Sequence, residues 1–234
     1  MDKNKVVVVA GVGPGNGMSL ARRFAVDGAR VAMLSRSQDR AQTLATEIEG
    51  ARGYACDVGD AASVKAAFEA IRSELGEVDT LIYNAGTGVF ADVENITPDQ
   101  FEASWRVNAL GALLCSQEVI PAMKAAGSGN IIFIGATASR RGAKFTAAFA
   151  PAKSAQRSLA ESMAKSLWPA GIHVSVIIID GAVDLPSTRE KMPDKPADFF
   201  VSPEAIADIA WDLSQQSRRA WSFEVEARPY GENW

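Results

Sequence analysis

The run Val6-Val7-Val8-Val9-Ala10 leads straight into Gly11-Val12-Gly13-Pro14-Gly15-Asn16-Gly17, and a helical stripe of Leu20, Ala21, Phe24 and Ala25 follows at once. A glycine-rich turn between a strand and a helix aims backbone N–H groups at one point, which suits a pyrophosphate. Asn16 keeps the spacing from matching G-x-G-x-x-G, so the reading rests on position. The turn closes the first strand and opens the first helix, where a doubly wound sheet has its ligand crevice. The second strand, Arg30 to Leu34, ends in Ser35-Arg36. An acidic residue there would bind ribose hydroxyls and repel a 2′-phosphate, whereas a small hydroxyl followed by a guanidinium favours NADP(H) over NAD(H). Arg40, one helical turn on, either assists or stands as a surface charge.

Other chemistries are poorly supplied. The single His173 lies in the apolar strand Gly171-Ile172-His173-Val174-Ser175, which disfavours a metal or a Ser-His-Asp triad. Cys56 and Cys115 lack the spacing of a metal cluster or disulfide framework and read as buried thiols. With 24 Lys+Arg against 28 Asp+Glu and a net charge of −4, no basic footprint for nucleic acid is present. The apolar run after Met1-Asp2-Lys3-Asn4-Lys5 is too short for a signal sequence or a span, so a cytoplasmic protein without membrane attachment is expected.

These residues must be held by the elements around them. Short β-branched runs alternate with helical periodicity: helix Gln38 to Glu49 closed by Gly50, strand Gly53 to Cys56, helix Ala61 to Leu75, strand Val78 to Tyr83. A long helix from Pro98 to Ala126, capped by Thr97, precedes strand Asn130 to Ile134. Helix Phe149 to Trp168 and strand Ile172 to Ile179 follow. Continuous runs such as Val176-Ile177-Ile178-Ile179 suit strands buried on both faces, and βα alternation predicts an α/β fold: one Rossmann-type domain with a doubly wound parallel sheet of about seven strands and helices on both faces. From residue 184 to 202 three prolines interrupt the pattern, which predicts a loop or lid over the site. A last helix begins at Ser202-Pro203, and Ser222 to Ala227 reads as an edge strand.

Read together, these features resemble the short-chain dehydrogenase/reductase family over essentially the whole chain. The matching elements are Ala10 to Gly17, Cys56-Asp57-Val58 after strand three, Tyr83-Asn84-Ala85-Gly86, Val107-Asn108 in the long helix, and Lys153 at the Lys of Y-x-x-x-K. The resemblance implies that Gly11, Gly13, Gly15, Asn16 and Gly17 form the phosphate turn. It implies that Asp57 accepts from the adenine amino group with Val58 in support, and that Asn84, Ala85 and Gly86 line the adenosine side. Lys153 would bind the nicotinamide ribose, Asn108 would hold a water in a proton relay, and Gly181 with Val183 would run past the nicotinamide. Two residues depart from the pattern there: Asp180 replaces a proline, and Leu185 stands where a cofactor-binding Thr is common.

The larger departure is at the chemistry. Four residues before Lys153 stands Phe149 in place of the family's proton-donating Tyr, and thirteen before that Ala136 replaces the carbonyl-binding Ser. No shift of register brings Tyr54, Tyr83 or Tyr230 into place. Loss of a positioned general acid costs roughly 10²–10⁴-fold in rate, and hydride transfer continues only if water or a neighbouring group supplies the proton. Thr137, Ser139 and Thr146 are the nearest hydroxyls, either donors or turn caps, and Phe149 either packs over the nicotinamide or shapes an apolar pocket with Phe145, Phe199 and Phe200. The expected activity is NADP(H)-dependent hydride transfer on a small apolar carbonyl, alcohol or activated C=C. A weakly catalytic NADP(H) sensor or partner subunit and redox-neutral cofactor chemistry are the alternatives. The resemblance further implies a homodimer or homotetramer built through the helices at Pro98 to Ala126 and Phe149 to Trp168, with the tetramer less expected because Phe223 to Pro229 departs from the family's usual ending.

Overall fold

The structure, a computed structural model, describes residues 5–231; Met1 to Asn4, which entered the reading of the N-terminus, and residues 232–234 lie outside the described residues. Seven strands form one parallel sheet in the order β3-β2-β1-β4-β5-β6-β7. They are β1 (Val6–Ala10), β2 (Arg30–Ser35), β3 (Ala51–Ala55), β4 (Thr80–Tyr83), β5 (Gly129–Ala136), β6 (Ile172–Ile179) and β7 (Glu224–Ala227). Alternation along β1 divides the core in two. Val6, Val8 and Ala10 join the apolar cluster under α3 (Ala61–Leu75), α5 (Gly111–Ala126) and α6 (Phe149–Leu167). Val7 and Val9 join the cluster under α1 (Asn16–Val26) and α8 (Pro203–Gln215). Both faces are therefore dry, as the continuous apolar strands require.

The chain leaves β1 toward β2 and β3 on one side, then returns to β4 on the other, so the strand order reverses between β1 and β4. A crevice opens beyond the carboxyl ends of strands at such a point.

Several boundaries differ from those the sequence predicts. Helix α2 (Gln38–Ala45) stops short of Glu49. The Thr46 hydroxyl donates to Thr43 O at 2.7 Å, and Glu47 and Ile48 make three-residue turns that tuck Ile48 into the core. Strand β3 begins earlier, at Ala51, and β5 runs on to Ala136 because its whole length pairs with β6. The predicted single helix from Pro98 to Ala126 is α4 (Pro98–Trp105), a π-helical turn at Arg106–Leu110, and then α5. The segment 184–202 is not all loop: Pro186 at N1 starts α7 (Pro186–Lys191). That segment is pinned at its base, where Val201 N donates to Ala182 O and Asp184 N to Val201 O, at 2.8 and 2.9 Å.

Candidate functional site

A cavity of about 500 Å³ opens at the reversal point, lined by the turn residues Gly11, Gly13, Asn16 and Gly17, by Ser35, Arg36 and Arg40, by Asp57 and Val58, by Asn84 to Thr87, and by Val183 and Leu185. The glycines are there for a physical reason. Gly11 and Gly15 adopt φ of +92° and +103°. A Cβ on Gly11 would stand 2.5 Å from Ala85 Cα, and one on Gly17 would stand 2.8 Å from Gly11 O. The turn is fastened from below, where Asn84 Nδ2 donates to Gly11 O at 2.7 Å. Gly15 lies just outside the cavity wall, with its Cβ direction blocked by Leu185 at 2.2 Å. Gly181 leads into this wall from β6 without lining it.

At the far end of the cavity both guanidiniums are exposed, and Arg40 Nη2 reaches within 3.5 Å of where a Gly13 Cβ would be. Arg36 and Arg40 thus flank the phosphate turn and carry no carboxylate partner among the described residues. Asp57, which lines the cavity, accepts from Gly59 N–H through Oδ1 at 2.9 Å. Among the described residues neither Asn16 Oδ1 nor Asn108 Oδ1 has a hydrogen-bond partner, although both atoms are buried. An orphaned buried acceptor costs free energy, so each marks a place shaped for a donor.

Lys153 lies on the buried stripe of α6, with Ala152, Gln156, Ala160 and Met163. Its Nζ donates to Ile134 O at 2.8 Å and to Gln156 Oε1 at 3.2 Å. Burial pushes its pKa down to about 8. A Cβ on Gly86 would stand 3.7 Å from this Nζ and 3.3 Å from Asn108 Oδ1, so amine and amide meet beneath the cavity floor. Gln156 is a residue that sequence reasoning missed. Its Nε2 donates to Asn108 O at 2.9 Å, a carbonyl in the π-helical turn, so one side chain holds both Asn108 and Lys153. The only signal available was its place three residues after Lys153, on the same helix face.

Phe149 opens α6 and packs its ring on Phe90 at 5.6 Å between centroids; Phe90 was also missed. The aromatic pocket expected from the sequence is not assembled. Phe199 and Phe200 pack on each other at 5.3 Å, and Phe145 lies exposed beside Lys144. The candidate hydroxyls are all engaged locally. Ser139 Oγ accepts from Ala136 N at 3.1 Å, Thr146 Oγ1 accepts from Ala143 N at 2.8 Å, and Thr137 Oγ1 donates to Asp180 Oδ1 at 2.5 Å. Asp180 is 3% exposed. Burial alone would raise its carboxyl, but the Thr137 hydroxyl and the guanidiniums of Arg141 and Arg228 hold it below the usual carboxylate range. It stays ionised at neutral pH and has no proton to donate.

A parallel sheet that reverses over a glycine turn, with a buried lysine and asparagine beneath the same cavity, defines a nucleotide-binding protein of the Rossmann type. Residues 5–196 match the short chain dehydrogenase family, and the chain belongs to it, a family of NAD(P)-dependent oxidoreductases. It is 36% identical over 132 residues to D-threitol dehydrogenase of Mycolicibacterium smegmatis, a stretch that covers 55% of this chain and spans about half, 51%, of that relative. Among solved structures, a short-chain dehydrogenase from Rhodopseudomonas palustris is similar at a TM-score of 0.83 and 33% identity, over 97% of this chain and 99% of that one. A metagenomic short-chain oxidoreductase in complex with NADP is similar at 0.84 and 27% identity, over 98% of each.

Proposed function

We propose that the protein is an NADP(H)-dependent oxidoreductase acting on a small apolar carbonyl, alcohol or activated C=C, with proton donation weakened because Phe149 and Ala136 stand in place of Tyr and Ser. The carrying observation is the contrast between two halves of one site. In the cofactor half, the positive-φ turn, the Asn84 clamp, and the meeting of Lys153 with Asn108 below Gly86 support a dinucleotide, with Leu185 and Asp180 as departures at its nicotinamide end. In the chemical half, Phe149 and Ala136 offer no proton.

The bound nicotinamide would supply or accept the hydride. Gly11 to Gly17 would hold the pyrophosphate, Arg36 and Arg40 the 2′-phosphate, and Asp57 and Val58 the adenine. Lys153 would bind ribose hydroxyls, Asn108 Oδ1 would hold a water, and Val183 would border the nicotinamide. The Thr137 and Thr146 hydroxyls already donate to Asp180 and to Ala143 O, so with Tyr and Ser absent the proton would come from solvent, which suits protonation at carbon after addition to an activated C=C. We place the protein in the cytoplasm as a homodimer or homotetramer.

The absent donors also favour a second reading, a weakly catalytic NADP(H) sensor or partner subunit. Isothermal titration tests the cofactor assignment common to both. NADPH is expected to bind at least about 10-fold more tightly than NADH, as a charge-assisted contact to the extra phosphate would give. Changing Arg36→Ala together with Arg40→Ala should erase that difference and leave NADH affinity in place. Equal affinities in the wild type would contradict the assignment. Measurable turnover of enones or ketones would then separate enzyme from sensor.

A further inference from the structure

Gln156 is 1% exposed, so its amide must find partners inside the protein. It has two, on different elements. Nε2 donates to Asn108 O at 2.9 Å, and Oε1 accepts from Lys153 Nζ at 3.2 Å. Only one orientation of the amide serves both, since the flipped one would set an NH₂ against the ammonium and a carbonyl oxygen against the Asn108 carbonyl. The neighbouring carbonyl, Val107 O, is taken by Tyr83 Oη, so the π-helical turn is held from β4 and from α6. Burial penalises the charged form of Lys153, and hydrogen bonds to that form oppose the penalty. The ammonium has two acceptors, Ile134 O at 2.8 Å and Gln156 Oε1. Among the described residues the elements packed around it turn no titratable or charged side chain on it, and burial alone accounts for its lowered pKa. Ile134 O is backbone, placed by the pairing of β5 with β6. Gln156 is therefore the side chain on which the charged state depends.

We propose that Gln156 is a positioning residue of the cofactor site: it keeps the Lys153 ammonium charged and holds it in register with Asn108 beside the cavity wall at Gly86. This rests on the reading of the cavity as an NADP(H) site and adds the residue that sets the state of its buried lysine. Gly86 lines the cavity, and a Cβ there would stand 3.7 Å from Nζ and 3.3 Å from Asn108 Oδ1. An ammonium has three donors, and Ile134 O and Gln156 Oε1 take two of them. The third is left for a ribose hydroxyl. Without Gln156 the lysine would lose its proton more readily, and the Asn108 carbonyl would lose its donor.

The test follows Lys153 by NMR titration of lysine side chains labelled at Cε, its resonance assigned by its loss in Lys153→Arg. The wild-type midpoint is expected at about 8. Gln156→Met keeps the bulk and removes the acceptor, and should lower the midpoint by about one pH unit, as loss of one hydrogen bond to a charged group would give. Gln156→Glu sets a carboxylate beside the ammonium and should raise it by about one unit. NADPH titrations on the same proteins give the second readout. Gln156→Met should bind NADPH about 5-fold more weakly than wild type at pH 8, where the charged fractions differ, and within about 2-fold of it at pH 6, where both lysines are protonated. An unmoved midpoint in Gln156→Met, or an affinity gap that stays the same at both pH values, as a purely structural role would give, overturns the proposal. If Gln156→Met does not fold, the Gln156→Glu midpoint decides, and no rise in it overturns the proposal. A wild type that binds no NADPH overturns the underlying reading of the cavity, whereas unmoved midpoints in a protein that binds NADPH overturn this inference alone.

Discussion

At the scale of single residues, the site is organised around Lys153, an amine folded into a place with two oxygen acceptors and no carboxylate. Its lowered pKa has a consequence for stability. The unfolded chain keeps this proton to the ordinary value of 10.5, whereas the folded protein gives it up at about 8, so the unfolded state holds more protons between them and Lys153 makes stability rise with pH across that window. Buried Cys56 and Cys115, whose thiols burial pushes up, act in the opposite direction at the alkaline end, so the comparison must be made against a variant. The stability gap between wild type and Lys153→Met, measured by urea denaturation, should move in favour of the wild type by about 2 kcal/mol from pH 8 to pH 9.5. A gap that does not change with pH would mean that Lys153 titrates normally. The sequence showed Lys153 and the loss at Phe149 directly, because both are read from identity and spacing. Gln156 and Phe90 stayed hidden because their roles depend on contacts with Asn108 and Phe149 that no local pattern encodes.

At the scale of elements, the long helix is where pattern and structure part. Apolar periodicity ran unbroken from Phe101 to Met123, yet the chain widens into a π-helical turn at Arg106–Leu110 that places Asn108 and turns its carbonyl to Gln156. Such turns occur frequently at functional sites. The widening is set by packing: Tyr83 Oη donates to Val107 O, and Gly111, the first residue of α5, sits against the same hydroxyl. A Cβ on Gly111 would stand 2.4 Å from Tyr83 Oη and 2.7 Å from Val58 O. Gly111→Ala should therefore cost about 1–3 kcal/mol of stability by overpacking and weaken NADPH binding through Val58 and Asn108. Urea denaturation and titration read the two effects, and a variant as stable as wild type would show that α5 can shift freely. The lid was legible only as a break in pattern, since three prolines announce irregularity but not the short helix that Pro186 starts.

At the scale of the whole molecule, the alternation of strands and helices sufficed for the sheet, because each continuous apolar run needs cover on both faces. The doubly wound arrangement was expected from that alternation, whereas the full strand order became visible only in three dimensions. Self-association belongs to this scale. Phe101 and Trp105 on α4 are each 42% exposed, and an apolar groove of about 500 Å³ runs by Ala164, Trp168, Pro169 and Phe223. Sedimentation should give at least twice the 24.8 kDa monomer mass, and Trp105→Asp should lower it; a monomer at all concentrations would refute the assembly. The central claim concerns a proposed cofactor site beside a missing proton donor. Its most direct measurement is NADPH-dependent ketone reduction by the double variant Phe149→Tyr with Ala136→Ser. The account predicts turnover at least about 100-fold above wild type with NADPH affinity unchanged. Unchanged turnover, with NADPH still bound, would contradict it.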